Sequence, residues 1–462
     1  MLFSGIPFLY YFLPAVVGLY FLTPARLKNA FLLLASLVFY AWGEPRYVLL
    51  MIASILLFYA YGLAIEKSGT QMHKRLWLTA AIVTGGAMLA VFKYGDFALE
   101  NWNRLTGMTV PLLKLALPIG ISFYTFQCVS YAVDVYRGET HAQKNIITFG
   151  TYVALFPQLI AGPIVRYVDV ERELRERKTT WEDLSEGLFG FLIGLGKKVL
   201  IANPLGELTV IFREADEKSL VFYWLYAAAF TLHIYFDFSG YSDMAVGLGR
   251  IFGFRFPRNF HYPYISKSVT EFWRRWHMTL GGWFRDYVYI PLGGNRVSRG
   301  RWVRNILIVW MLTGLWHGAA WNFIVWGLLF AVLLLAEKFL PVLQRLPDWL
   351  RHGYVLLAVT ISFVIFNAQS MTQAGEDLMG MFGLLGLPLT TAETVYYLKS
   401  YAVLLLIGIL GATPLVSMGG NWLRTHWRGT PVLRLLAAAA LLQVCTAYLV
   451  DGSFNPFLYF RF

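Results

Sequence analysis

Apolar residues along the chain are grouped in runs whose length is typical of helices that cross a membrane. A spanning helix needs about 20 mostly apolar residues. None of the runs alternates apolar and polar positions as a half-buried strand does, so we predict an all-α integral membrane protein. The runs cover residues 7–23, 28–43, 47–65, 76–93, 111–133, 146–164, 185–204, 220–250, 303–336, 353–368, 401–418 and 433–450.

Charged residues in the connectors between the runs predict the orientation of the chain. Short cytoplasmic loops of membrane proteins carry an excess of Lys and Arg. With the N-terminus outside, the inside connectors 24–28, 66–76 and 134–145 carry seven basic residues against three acids. The outside connectors 44–46 and 94–110 carry two basic residues against three acids. We therefore predict a multi-pass protein whose N-terminus lies outside.

Two runs must enter and leave on the same side to keep this orientation. The run 146–164 precedes an Arg-rich inside connector and contains Pro157 and Pro163. The run 303–336 lies between two inside segments, which predicts a hairpin with its apex near His317. Irregular backbone at membrane depth is tolerated only inside protein or beside a water-filled cavity. We therefore expect both segments to be enclosed by the rest of the protein.

The segment 255–305 is too polar to span a membrane and too aromatic to be an unstructured loop. Residues 251–305 carry ten Lys or Arg against two acids, and Trp, Phe and Tyr are interspersed among them. This mixture predicts short helices that lie at the membrane interface or pack on the helix bundle.

Composition supports a membrane environment and disfavours several functional classes. Hydrophobic residues make up 57% of the chain and charged residues 14%, whereas soluble domains carry roughly a quarter charged residues. The net charge of +12 is spread over the connectors without a nucleic-acid-binding motif, so we expect contact with membrane lipid and none with nucleic acid. No metal-ligand spacing is present, so no metal site is expected.

His317 is the first candidate for catalysis because an ionisable residue within an apolar run is costly and usually functional. A low-dielectric surrounding disfavours the charged imidazolium, so a neutral ring could accept a proton. Gly314 and Gly318 leave room for a substrate or a neighbouring backbone. The alternative is a packing histidine bonded to a carbonyl group.

His277 follows two arginines in the string EFWRRWHMTL, residues 271–280. It could be a second catalytic or orienting group, or an interfacial histidine beside lipid headgroups. The flanking Arg274 and Arg275 could hold a phosphorylated donor, or they could face headgroups and water.

Four further residues are candidate contacts for a donor or substrate. Lys197 and Lys198 lie well inside the run 185–204, where they could meet donor phosphates or extend towards water. Asp237 lies in the run 220–250, where an acid pairs with a neighbour or lines a path. Asn259, near the start of the polar segment that follows this run, completes the set.

Several strings together resemble the membrane-bound O-acyltransferases, in particular the bacterial branch of alginate O-acetyltransferase membrane subunits. The resemblance covers essentially the whole chain, is strongest between 230 and 330, and extends to the ending NPFLYFRF (455–462). The strings that carry it are PQLIAGPIVRY (157–167), GLGKKVLIAN (194–203), FDFSGYSDMAVGLGRIFGFRFPRNF (236–260), PYISKSVTEFWRRWHMTLGGWFRDYVYIPLGGNR (263–296) and LTGLWHGAAWNFIVWG (312–327).

The resemblance implies one membrane domain over 1–462, with about eleven transmembrane helices, re-entrant segments and interfacial helices around a central channel. We divide it into N-terminal helices (1–145), a catalytic core (146–336) and C-terminal helices (337–462). The resemblance also implies that His317 is the essential histidine of the family and His277 its second histidine.

The activity that the resemblance implies is acyl transfer across the bacterial cytoplasmic, or inner, membrane. A cytoplasmic thioester, acetyl-CoA, would be the donor without a bound cofactor, and an exopolysaccharide such as alginate would accept the group. A separate extracytoplasmic acetyltransferase of the SGNH type is an expected partner. Two alternatives are D-alanyl transfer to teichoic acid from a carrier-protein thioester, and a non-enzymatic transporter or channel.

Overall fold

The computed structural model describes residues 2–160, 162–427, 429–452 and 455, and within these residues the secondary structure is helical without a strand. The predicted all-α fold class is therefore confirmed. The ending that contributes to the family resemblance lies outside the described residues from 456 onwards.

The helices are labelled in chain order. The first part of the chain contains α1 (Leu13–Leu22), α2 (Lys28–Gly43), α3 (Val48–Lys67), α4 (Gln71–Leu89), α5 (Gly95–Thr106), α6 (Ile121–Arg137), α7 (Ile146–Ala154), α8 (Phe156–Leu159) and α9 (Tyr167–Arg175). The remainder contains α10 (Trp181–Gly196), α11 (Asn203–Glu214), α12 (Leu220–Ile251), α13 (Val269–Arg275), α14 (Met278–Phe284), α15 (Arg299–His317), α16 (Trp321–Phe339), α17 (Val342–Arg345), α18 (Asp348–Asn367), α19 (Met371–Met381), α20 (Ala392–Gly411), α21 (Leu415–His426) and α22 (Thr430–Asp451).

Within the described residues, eight helical stretches are long and apolar enough to cross a membrane. Two of them join successive helices through a π-helical turn, at Ala90–Tyr94 and at Lys197–Ala202. The count of about eleven membrane helices and the central channel stay predictions. The eight stretches are Val48–Lys67, Gln71–Thr106, Trp181–Glu214, Leu220–Ile251, Trp321–Phe339, Asp348–Asn367, Ala392–Gly411 and Thr430–Asp451.

The apolar run 111–133 is helical only from Ile121 onwards. Pro118 has no amide hydrogen to donate to a preceding turn. Gly120 has a φ of 75°, and a Cβ atom there would lie 2.7 Å from the carbonyl oxygen of Leu159. The chain therefore turns sharply before α6, at a position that only glycine occupies without a clash.

The run 146–164 is broken as predicted. Helix α7 ends at Ala154, and the one-turn helix α8 begins at Phe156 with Pro157 in its first turn. Proline is accepted there because the first turn of a helix needs no amide hydrogen bond.

Two connectors that we expected, from their charged residues, to lie between helices are themselves largely helical. Helix α5 occupies most of 94–110, and α11 runs through 205–214. A helix that leaves the hydrocarbon layer keeps its backbone hydrogen bonds, and its charged side chains then lie where water is available.

The chain divides into two compact units, one formed by Met1–Phe191 and Tyr241–Arg258 and the other by Leu192–Gly240 and Asn259–Phe462. The predicted single domain over 1–462 stays a prediction. Every candidate site residue named above belongs to the second unit, whose core is rich in aromatic side chains.

Helices α15 and α16 form the hairpin that the charge pattern predicted, with the turn at residues 318–320. Glycines on both helices allow the close approach. A Cβ atom on Gly314 would lie 2.3 Å from the carbonyl oxygen of Phe323, and one on Gly327 would lie 2.3 Å from that of Trp310. Small residues at such a crossing let two membrane helices pack backbone to backbone.

Candidate active site

His317 is the last residue of α15 and lies at the apex of the hairpin. It is buried, with 5% of its surface exposed. Aromatic rings contact the imidazole, among them Trp316 and Trp326 at centroid distances of 5.0 Å and Phe366 at 5.2 Å. The hairpin therefore places this histidine in an aromatic enclosure where solvent screening is weak.

Asn322 fixes one wall of that enclosure. Its side-chain amide donates hydrogen bonds to the carbonyl oxygens of Phe366 (3.2 Å) and Ala368 (2.9 Å) at the end of α18. The amide thereby joins the first turn of α16 to the segment that carries Phe366. These hydrogen bonds help to hold Phe366 against His317.

His277 lies between the short helices α13 and α14, outside the candidate membrane spans. Its φ and ψ of 43° and 51° are in the left-handed region, which is uncommon for a residue with a side chain. Burial lowers the pKa of His277 from its usual value of 6.5 to about 3, so its ring is neutral at physiological pH.

Asn259 fixes the tautomer of His277. The backbone N–H and the hydroxyl of Thr279 both donate to Asn259 Oδ1, at 3.3 and 2.9 Å. A backbone N–H only donates, so this amide atom is the oxygen, and His277 Nδ1 at 3.1 Å must also donate to it. His277 Nδ1 therefore carries the hydrogen, and Nε2 carries the lone pair.

Glu337 anchors α13, the helix that leads into His277. Its buried carboxylate accepts the backbone N–H groups of Val269 (2.5 Å) and Thr270 (3.1 Å) and the hydroxyl of Thr270 (2.9 Å). A carboxylate at a helix N-terminus is stabilised by the unpaired N–H groups and the helix dipole. Because Glu337 belongs to α16, it ties the helix that precedes His277 to the second helix of the hairpin that carries His317.

The structure brings His277 and His317 to one indole. Trp316 contacts the imidazole of His277 at a centroid distance of 5.6 Å and that of His317 at 5.0 Å. Phe238 of α12 packs edge-on against His277 at 4.7 Å. Two buried imidazoles beside one indole could hydrogen-bond to a substrate or move its proton during acyl transfer.

Lys198 and Asp237 form an ion pair with each other, with Nζ and Oδ1 2.6 Å apart and both side chains almost fully buried. Gly240 permits the close packing that creates this pair, because a Cβ atom there would lie 2.8 Å from the carbonyl oxygen of Gly194. The ion pair accounts for both charges within the protein. Lys197, the preceding residue, is half-buried, and its predicted role in donor binding stays a prediction.

Arg275 pairs with Glu271 one turn earlier on α13, at 2.9 Å, and also donates to the carbonyl oxygen of His261. Arg274 points to the exposed side of the same helix. Arg274 is thus the more accessible of the two for an anionic donor.

Sequence reasoning did not single out Trp316, Trp326, Asn322, Phe366 or Glu337. Three of them lie within LTGLWHGAAWNFIVWG, where the frequency of Trp and Asn beside the histidine is the only indication in the sequence. Phe366 and Glu337 reach the site only through the packing of α16 and α18. No sequence pattern near Phe366 or Glu337 indicates that they belong to the site.

Comparison with known proteins identifies the family of the chain. The model of the MBOAT, membrane-bound O-acyltransferase family, matches residues 46–372. A probable alginate O-acetylase of Azotobacter vinelandii is 39% identical, with all of both chains covered. A peptidoglycan O-acetyltransferase of Helicobacter pylori is 34% identical over 84% of this chain and 81% of its own.

A teichoic acid D-alanyltransferase of Bacillus subtilis is 30% identical over 53% of this chain and 65% of its own. Similarity to O-acetyltransferases thus extends over more of the chain than similarity to the D-alanyl enzyme. The protein is a multi-pass membrane enzyme that transfers an acyl group to oxygen, and the chain belongs to the membrane-bound O-acyltransferase family.

Proposed function

We propose that this enzyme takes an acetyl group from acetyl-CoA on the cytoplasmic side of the inner membrane and delivers it for O-acetylation of an extracytoplasmic polysaccharide. The observation that carries the proposal is the pair of buried imidazoles, His277 and His317, on the single indole of Trp316. Acyl transfer to a hydroxyl group needs a base in a site that excludes water, and this arrangement supplies both.

In the proposed reaction, His317 removes the proton from the accepting hydroxyl as its oxygen attacks the thioester carbonyl carbon. The new C–O bond forms and the C–S bond breaks, so an ester and a thiolate result. The imidazolium of His317 returns its proton to the thiolate, which leaves as the thiol of coenzyme A. A positioned base of this kind contributes roughly 10²–10⁴-fold to the rate.

His277 has a different task because its pKa of about 3 makes it a poor acceptor of a full proton. With Nδ1 bonded to Asn259, its Nε2 lone pair is held in one direction. We assign it to orienting the donor or the accepting hydroxyl by hydrogen bonding.

We assign the acyl donor from the positive charge of segment 251–305, and the acceptor and partner from the names of related proteins. The basic segment 251–305 supplies cations for the phosphates of coenzyme A, with Arg274 exposed among them. The names of the relatives from Azotobacter and Helicobacter concern alginate and peptidoglycan. We therefore propose a cell-envelope polysaccharide such as alginate as acceptor, with an extracytoplasmic SGNH-type acetyltransferase as partner.

The test uses membranes of the source bacterium that lack the native protein and carry wild type, His317→Ala or His426→Ala at matched amounts. His426 is an exposed residue at the end of α21 and serves as the control. Labelled acetyl-CoA is added, and label is counted in extracytoplasmic polymer. Wild type and His426→Ala are expected to transfer label, and His317→Ala to lose at least about 10²-fold of the rate.

Full activity in His317→Ala would overturn the mechanism while leaving the family intact. The donor is tested in a second arm with a D-alanyl carrier-protein thioester. Transfer from that thioester and none from acetyl-CoA would replace the acetylation proposal by D-alanyl transfer. Transport of a solute that is unaffected by His317→Ala, without acyl transfer, would favour a channel.

A further inference from the structure

The indole N–H of Trp326 is a buried hydrogen-bond donor that finds no acceptor among the described residues. The residue is 1% exposed, so water does not reach it from the surface. Buried donors are paired in the great majority of cases because an unpaired one costs free energy. Such a donor beside a catalytic base therefore requires an explanation.

The groups around Trp326 limit which acceptor its N–H could bind. Four rings contact its indole within the described part of the chain, and His317 is the only one of them that carries a proton-transfer group. The other three belong to Trp273, Phe330 and Phe366, which offer no oxygen or basic nitrogen as acceptor. Trp273 also has a buried, unpartnered N–H, but its ring does not contact His317.

The backbone holds Trp326 rigidly with respect to His317. The next residue, Gly327, lies at the tightest point of the hairpin, against the carbonyl oxygen of Trp310 and the backbone of Gly314. His317 is three residues beyond Gly314 on the facing helix. A donor fixed in this way needs no reorganisation when charge develops beside it.

We propose that the Trp326 indole N–H donates a hydrogen bond to the carbonyl oxygen of the acyl thioester beside His317. This inference rests on the proposed function. As the hydroxyl oxygen bonds to the carbonyl carbon, the carbonyl oxygen gains negative charge, and the hydrogen bond strengthens. When the C–S bond breaks, that charge returns to the new ester carbonyl. Trp326 is thus assigned as a further catalytic residue, stabilising the transition state.

The test compares Trp326→Phe with Trp224→Phe, which is the matched control. Trp224 is an indole of the same unit whose N–H donates to the carbonyl oxygen of Met381 at 2.8 Å, and its ring contacts neither histidine. Initial rates are measured with varied acetyl-CoA in the complemented membranes described above. Thermal unfolding is measured on the purified proteins.

Trp326→Phe is expected to lower kcat by roughly 10²-fold, as loss of one oxyanion donor does, with KM for acetyl-CoA changed only a few-fold. Its unfolding temperature should also fall, because the smaller ring leaves a cavity among the four rings that contact Trp326. Trp224→Phe should lower the unfolding temperature as well, through lost packing and a lost hydrogen bond, but keep kcat within about twofold.

A kcat of Trp326→Phe within twofold of wild type overturns the inference and leaves the proposed function standing. A fall in kcat that accompanies a lowered unfolding temperature is resolved by Trp326→3-benzothienylalanine, which keeps the ring shape and lacks the N–H. Restored kcat in that variant overturns the inference, and a persistent loss supports it. If wild type transfers nothing from acetyl-CoA, the proposed function fails, and the inference fails with it.

Discussion

At the scale of single residues, the site depends on polar groups that orient the histidines. Asn259 accepts hydrogen bonds from His277 and from two donors of Thr279, and thereby holds His277 in a left-handed backbone conformation. A non-glycine residue in that conformation persists only where its surroundings hold it. Asn259 is therefore a positioning residue, and its predicted contact with a donor or substrate stays a prediction.

We predict that Asn259→Ala lowers the transfer rate about tenfold or more and also destabilises the protein. Three donors lose the Asn259 oxygen as an acceptor, and a typical hydrogen bond contributes about 0.5–1.5 kcal/mol to stability. A loss of about 1.4 kcal/mol in orientation corresponds to a tenfold rate effect. The measurement is the initial rate of labelled acetyl transfer beside the thermal unfolding temperature.

Thr279→Val is the control for this prediction. It removes one hydroxyl donor and keeps the bond between His277 and Asn259, so most of the transfer rate should remain. If Asn259→Ala transfers at the rate of wild type, the tautomer of His277 does not matter to the reaction.

At the scale of helices, the hairpin of α15 and α16 is the element that builds the site. Its first helix ends at His317, and its second helix carries Asn322, Trp326 and Glu337. The two helices approach through Gly314 and Gly327, so one backbone crossing sets the distances between the ring partners. Interfaces of this kind tolerate little added volume because the interior is close-packed.

We predict that Gly327→Ala separates the hairpin and lowers both stability and acetyl transfer. The added Cβ atom would lie 2.3 Å from the carbonyl oxygen of Trp310, and overpacking of this kind costs about 1–3 kcal/mol. Gly300→Ala on α15 is the matched control because no atom lies within 4 Å of its added Cβ. Unfolding temperature and transfer rate are measured for both variants. If Gly327→Ala and Gly300→Ala have the same unfolding temperature and the same transfer rate, the helix crossing does not position the site.

At the scale of the whole molecule, the apolar helices are those of a multi-pass membrane protein, and the distribution of charge predicts its orientation. The described residues contain eight stretches able to span it. The basic segment 251–305 would face the cytoplasm, the side where a coenzyme A thioester is available. The predicted orientation therefore decides whether cytoplasmic acetyl-CoA can reach the basic segment.

We predict that Asp216→Cys reacts with a membrane-impermeant maleimide in intact spheroplasts, whereas Ser298→Cys reacts only after permeabilisation. Both positions are exposed, and the native Cys128 and Cys445 are buried, so background labelling should be low. The reverse pattern would invert the orientation and place the basic segment outside, away from cytoplasmic acetyl-CoA.

Many of the helices were predictable from the sequence, because a helix that crosses a membrane needs about 20 mostly apolar residues. The hairpin over 303–336 and the break in 146–164 followed from apolar length, proline and loop charge, and the structure confirms both. The run 111–133 was misjudged as continuously helical, because apolar length alone does not reveal the turn at Pro118 and Gly120. The helical extent of α5 and α11 was likewise underestimated.

The sequence by itself determined the membrane class and the family, since these depend on local composition and on contiguous motifs. It also singled out His277 and His317, whose catalytic roles stay predictions. Only the tertiary structure decided that Lys198 pairs with Asp237, that Asn259 sets the tautomer of His277, and that Trp316 contacts both imidazoles. These facts depend on contacts between residues far apart in the chain. Apolar periodicity records which face of a helix is buried, and it contains no information about which neighbour that face meets.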